Sequence, residues 1–186
     1  MGWGVPGSMR LACPEEPRVA LHVVQRGLSA CFSGSADFLA YLDALSACAQ
    51  RGACAVHAYA LMGNHVHLLV TPARAMGATL LLRSTAERYA QHLVEAHGYE
   101  GALWEKRFDG TPVRARKYLF ACMRYIESNP VRARLVREAG AYRWSSFRAN
   151  ALAKDDALVT PHPWYCALGR SREERCAAYR ALFRAG

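Results

Sequence analysis

The apolar positions along this chain switch between two periods, and the switches mark its elements. RVALHVVQRG, residues 18–27, is a short β-rich run closed by Gly27. In DFLAYLDALSACAQRG, residues Phe38, Leu39, Leu42 and Leu45 recur at helical spacing, and Gly52 supplies a C-terminal stop. CAVHAYALM and HVHLLVT then read as two strands joined at Met62, Gly63 and Asn64, where Gly-Asn signals a hairpin. A helix is predicted from about Ala78 to His97, ending at Gly98. GALWEKRFDGTPVRA reads as a short strand or loop, with Asp109-Gly110 as a turn. The next predicted helix covers about Arg116 to Ser128, with Leu119, Met123 and Ile126 as the stripe that should face the sheet. Asn129-Pro130 interrupts it. The tail holds YRWSSFRA, a Pro-rich PHPW patch and a helical piece from Ser171 onward.

The order β, α, β, β, α, β, α predicts an α+β fold: a ferredoxin-like, mainly antiparallel sheet with helices packed on one face. A chain of 186 residues is long enough for one sizeable domain and short for two. Residues 1–17, rich in Gly, Pro and Ser, read as a disordered lead-in. Residues 18–150 form the main domain and 151–186 a C-terminal helical extension. The N-terminal stretch has no signal-peptide pattern, and no apolar run approaches membrane-spanning length. Seven cysteines stand singly with no C-x-x-C pair, which fits neither a disulfide framework nor a zinc finger, so a cytoplasmic location is expected.

Charge changes the picture. The formal net charge is +9, and arginine carries most of it. Arginine forks match phosphate geometry, which makes a polyanion the first partner to consider, nucleic acid ahead of a membrane. Basic residues concentrate around the helix that begins near Arg116: Arg114, Arg116, Lys117, Arg124, Arg132, Arg134, Arg137, Arg143 and Arg148. Trp104, Phe108 and Trp144 are interleaved with them as aromatics on which bases could stack. Arg107, Lys117, Arg124, Arg132 and Trp144 are the expected nucleic-acid contacts.

Two features carry candidate chemistry. His65 and His67 are separated by one residue in a strand, so both project from one face while Val66 projects from the other. Two imidazoles so placed can direct their nitrogens at one cation, or they can be a hydrogen-bonded, half-buried pair. On KYLFACMRYIESNP, Tyr118, Tyr125 and Asn129 form a stripe about 100° round from the buried one, with Tyr125 and Asn129 on consecutive turns. Tyr125 is either an edge-of-core aromatic or a phenol poised above the histidines. Asn129 is either a third ligand through its carbonyl oxygen or the N-cap of a new helix, PVRARLV, with Pro130 at its first position.

Taken together, GNHVHLLVTP, GALWEKRF, RYIESNPVRARLV and YRWSSF resemble the tyrosine transposases associated with repetitive extragenic palindromes, or REP elements. That family belongs to the single-tyrosine HUH endonucleases, and the resemblance runs from about Val19 to Arg148. It implies that His65 and His67 are the metal-binding pair and that Tyr125 is the nucleophile. Asn129 matches a polar position that can complete the metal shell. It further implies a divalent cofactor, Mg2+ or Mn2+, and single-stranded DNA bearing palindromic hairpins as partner. The activity implied is cleavage through a 5′-phosphotyrosine and rejoining of strands, by a monomer or homodimer. No second H-x-[ST] motif is present, which counts against the two-histidine phosphodiesterases. The alternatives are a non-catalytic nucleic-acid-binding protein and, behind it, a metal-dependent hydrolase of small phosphodiesters.

Overall fold

The computed structural model describes residues 10–11 and 15–184. Its strands are β1 (Arg10–Leu11), β2 (Ala20–Arg26), β3 (Cys54–Leu61), β4 (His65–Pro72) and β5 (Arg107–Val113). Its helices are α1 (Ser35–Gly52), α2 (Gly77–His97), α3 (Arg116–Arg132), α4 (Phe147–Leu152), α5 (Pro163–Cys166) and α6 (Arg172–Arg184). The sheet order is β1-β5-β2-β4-β3. The four longer strands pair antiparallel, and β1 adds to β5 in parallel. This is the expected α+β architecture.

Alternation along the strands divides the interior in two. Leu21 and Val23 of β2 and Val66, Leu68 and Val70 of β4 face α1 and α2, in a core completed by Tyr41, Leu45, Leu81 and Tyr89. Ala20, Leu69, Ala58 and Ala60 face the opposite way, against Leu119, Met123 and Ile126 of α3 and Tyr165 and Tyr179 of the C-terminal segment. The predicted apolar stripe of α3 is therefore correct, but the expectation of helices on one face is not. The strands carry apolar residues on both faces, so each face needs a cover, and α3 covers the second. Residues 151–184 complete that layer: Tyr179, from α6, is fully buried.

Two local expectations are overturned. Asp109 and Gly110 lie inside β5, opposite Val24 and Val23, instead of forming a turn. No strand follows for a hairpin there to pair with, and the ladder to β2 outweighs local turn chemistry. Asn129 does not cap a new helix, because α3 runs through Pro130 to Arg132. Proline in the last turn removes only one backbone donor; Arg134 then adopts a left-handed conformation (φ 59°), so PVRARLV ends a helix instead of beginning one. Only part of the expected lead-in, residues 10–11 and 15–17, is described. Arg10–Leu11 pair with Arg107 and Phe108, and the Glu15 carboxylate accepts the N–H groups of Ala78 (2.8 Å) and Thr79 (2.9 Å) at the start of α2. An acidic group there satisfies orphan donors and complements the helix dipole. The remainder of residues 1–14 lies outside the described residues.

Gly27 also has a steric duty. Its N–H donates to the Asn64 carbonyl (2.8 Å), and a Cβ there would sit 2.8 Å from the Ser29 carbonyl oxygen. Only glycine lets the loop after β2 lie against the turn that leads into β4. Among the described residues, no helix is long and apolar enough to cross a membrane.

Candidate active site

The α3 side of the sheet carries polar groups at one end. β2 and β4 pair with Arg26 opposite His65 and Val24 opposite His67, which puts His22 diagonally beside His67 on the same face. The His22 Nε2 and His67 Nδ1 atoms are 3.2 Å apart, so one ring donates to the other. Their planes are nearly parallel, with centroids 5.4 Å apart. His65 stands edge-on to His67 at 4.9 Å, and the Asn64 side-chain oxygen lies 2.8 Å from its Nδ1.

Tyr125 is delivered to this cluster by α3. Because Leu119, Met123 and Ile126 are buried against the sheet, the stripe beside them lies over the strand ends. The Tyr125 ring sits edge-on to His67 at 5.6 Å and to His22 at 5.8 Å. Arg132 lays its guanidinium 4.9 Å from the ring centroid on α3's last turns. Tyr125 is 39% exposed and so open to a substrate, whereas Tyr118, at 59%, lies outside the cluster under Lys117. Asn129 is one turn on; its amide nitrogen donates to the Tyr125 carbonyl (2.9 Å), a bond that does not use its side-chain oxygen.

Burial keeps these imidazoles neutral. It pushes His22 down to about 4 and His67 to about 3, with His22, His65 and Arg26 adding repulsion. His65 is lowered by burial and by Arg26. A neutral imidazole keeps a lone pair for a cation. His57, on β3, is likewise pushed to about 4 by burial, but outside this cluster. It stands at a β-bulge, its Nδ1 donating to the Thr160 carbonyl (2.6 Å) and its Nε2 accepting from Thr71 (2.8 Å).

These depressed values fix a pH dependence. As pH falls from 6.5 towards 4, the unfolded chain takes up protons that the native His22, His57 and His67 resist, so stability present above 6.5 is lost across that window. The urea midpoint should fall between pH 7 and pH 4, and His57→Gln should make the fall shallower. An unchanged slope in that variant would show that His57 is not one of the groups responsible.

The expected nucleic-acid residues divide. Arg107 and Lys117 are exposed, and Arg132 covers Tyr125. Arg124 is used internally, donating to the Leu182 carbonyl of α6 (2.7 Å). Trp144 is a correction: only 8% exposed, it stacks on Phe38 at 4.6 Å while Arg143 covers it at 4.4 Å. Trp104 and Phe108 are likewise buried, so burial withdraws all three aromatics from contact with bases. His22 was not foreseen. The only trace of it was a polar residue within an apolar strand, since alternation gives a face but not the neighbouring strand's register.

Residues 29–129, just over half the chain, match the family described as transposase IS200 like. The chain belongs to the IS200-like transposase family. Among solved structures it is similar to "Structure of the REP associates tyrosine transposase bound to a REP hairpin", with a TM-score of 0.63. The two share 15% identity, over 79% of this chain and 88% of that one. No curated protein matches. The transposase family match spans α1, β3, β4, α2 and β5, and it ends at Asn129 within α3.

Among the described residues, the set of three Asp, Glu, His or Cys ligand atoms that lie mutually within 4.8 Å is Asp37, His92 and His97, which could hold a metal ion. It is not the expected set, and it lies on α1 and α2, across the sheet from Tyr125.

Proposed function

We propose that this transposase-family chain is a metal-dependent single-stranded DNA endonuclease and strand transferase that works through a 5′-phosphotyrosine at Tyr125. The observation that carries the reading is the convergence of a half-exposed phenol and neutral imidazoles from three separate elements on one end of the sheet. A phenol packed among histidines and an arginine has the parts of a nucleophilic site.

His65 and His67, with the side-chain oxygen of Asn129 as a further donor, would hold the divalent ion, Mg2+ or Mn2+. Their neutral nitrogens fit a cation, and nothing in two imidazoles and an amide selects the metal by softness. When bound, such an ion supplies positive charge to a phosphate oxygen in the transition state. The residues of the chain do the rest. Tyr125 loses its phenolic proton to solvent as it attacks, with the Arg132 guanidinium lying over its ring. Its oxygen bonds to phosphorus in line, the bond to the 3′-oxygen breaks, and that oxygen leaves as a 3′-hydroxyl after taking a proton. The phosphodiester is retained on the tyrosine, so another 3′-hydroxyl can reverse the step and join strands. Arg107, Lys117 and Arg132 are the cations left to meet phosphates. Hairpin-bearing DNA as the substrate draws on the resemblance and on the similar structure, a REP-associated tyrosine transposase bound to a REP hairpin.

The test is to incubate the chain with hairpin-bearing single-stranded DNA and Mg2+ or Mn2+ and locate the trapped adduct by mass spectrometry. A DNA fragment on Tyr125 is the expected result. No adduct across both metals and several hairpins would favour a DNA-binding protein without catalysis.

A second expectation concerns His22. By holding the His67 Nδ1 it fixes that ring's orientation, and losing such an outer partner typically costs ~10–100-fold in metal affinity. His22→Phe, which keeps a ring but no nitrogen, should raise the Mn2+ concentration for half-maximal cleavage by about that factor. An unchanged Mn2+ dependence would remove His22 from the site.

A further inference from the structure

We propose that Asp37, His92 and His97 form a second metal site, for a zinc-class divalent ion, that clamps α1 to α2 on the face of the sheet away from Tyr125. Asp37 lies in the first turn of α1. His92 and His97 lie in the last two turns of α2, so the two helices run antiparallel and meet here end to end. Both imidazoles aim the same atom, Nε2, at the same carboxylate oxygen: His92 at 2.9 Å and His97 at 2.8 Å from Asp37 Oδ1.

The carboxylate is held in place for this. Its other oxygen accepts the Ser33 N–H at 2.7 Å, and the residue is only 1% exposed. Tyr89 backs the His92 ring, nearly parallel at 5.9 Å. Two of the three ligands, Asp37 and His92, thus have their orientations set by neighbours, as the outer partners of a metal site set them. His92 is partly exposed and His97 exposed, which leaves an entry path and room for water as a fourth ligand.

Two imidazoles and one carboxylate are the donor set of a tetrahedral zinc-class site, and three ligand atoms drawn this close together suit that geometry better than the octahedral, largely hydrated shell of magnesium. Ligands about 2.0–2.1 Å from a tetrahedral ion stand roughly 3.3 Å from one another. The present separations need to open by about half an ångström, which the two solvent-facing rings can supply. The ion takes the place of the Nε2 protons, which move to Nδ1 or to solvent. It would also place positive charge beside a buried carboxylate that otherwise has only N–H donors for company.

The experiment must separate this site from the histidines beneath Tyr125. In a His65→Ala/His67→Ala chain, Zn2+ should bind with one ion per chain and raise the melting temperature by several degrees, whereas Mg2+ should do neither. Adding His92→Gln/His97→Gln should weaken Zn2+ binding by at least ~100-fold and abolish the shift. The same glutamine pair in the otherwise unchanged chain should lower the zinc stoichiometry by one, which keeps the test open if the alanine background does not fold. The proposal is overturned if the alanine background folds yet binds no Zn2+, or if the glutamine substitutions leave affinity and stoichiometry as they were.

Discussion

Tyr125→Phe should abolish formation of the covalent DNA adduct and depress strand cleavage by ~10⁴-fold or more, the scale at which removing an unreplaced nucleophile acts. The substitution deletes one oxygen. The edge-on contacts with His22 and His67 and the guanidinium over the ring involve the aromatic face and edge, so the fold and DNA binding should persist. Tyr118→Phe is the matched control: its ring lies under Lys117 and touches neither histidine, so its adduct yield should equal the parent's. Gel shift and adduct yield measured on the same preparations separate chemistry from binding. An adduct that survives in Tyr125→Phe and disappears in Tyr118→Phe would reassign the nucleophile.

Glu127→Ala should destabilise the protein by about 3–5 kcal/mol, the cost of breaking a buried ionisable network from one side, and lower the melting temperature on the order of 10 °C. Glu127 has no exposed surface. One oxygen accepts from Ser146 Oγ (2.6 Å) and Asn150 Nδ2 (2.8 Å), the other from Tyr179 Oη (2.7 Å). Alanine leaves the Tyr179 hydroxyl buried without its acceptor, and it reduces Ser146 and Asn150 to their bonds with the Tyr59 carbonyl (3.3 Å) and the His57 carbonyl (3.0 Å). Glutamine is a sharper probe. Its oxygen can serve Ser146 and Asn150, while its NH2 donates to a Tyr179 hydroxyl that turns to accept. Burial pushes Glu127 up to about 7 against the three hydrogen bonds that lower it. As pH rises from 4.5 to about 7 the unfolded chain releases this proton before the native chain does, so native stability from this group is lost across that window. Glu127→Gln should remove that loss and match or exceed the parent's stability above pH 7. A parent-like pH slope in the glutamine variant would show that Glu127 does not titrate in this range.

What was legible in the sequence was local and periodic. Alternation in HVHLLVT put His65 and His67 on one face, and helical spacing put Leu119, Met123 and Ile126 inward with Tyr125 beside them; all of this follows from one element at a time. What was illegible depended on partners far away in the chain. His22 joins His67 only through the register of β2 against β4, which no short window contains. Asp109-Gly110 has strong turn chemistry, but β2 claims it as a strand partner. Trp144 sits among arginines and so resembled surface, yet Phe38 packs against it from the other side of the chain. Pro130 looked like an interruption because its effect was judged without the buried stripe that carries α3 through it. The assignment of α3 to the second face likewise depends on which side of the sheet was still uncovered.

The packing of α6 on α3 has a mechanical meaning. A protein that stays joined to its product by one side chain becomes the tether for that strand, and any tug along the strand is felt by the helix at the point of attachment. Here that helix is braced from behind: Arg124 grips the Leu182 carbonyl one residue before Tyr125, and Tyr179 holds Glu127 two residues after it. In the reaction proposed for Tyr125, the final helix would work as a buttress, spreading recoil into the body of the molecule while the severed ends wait to be exchanged.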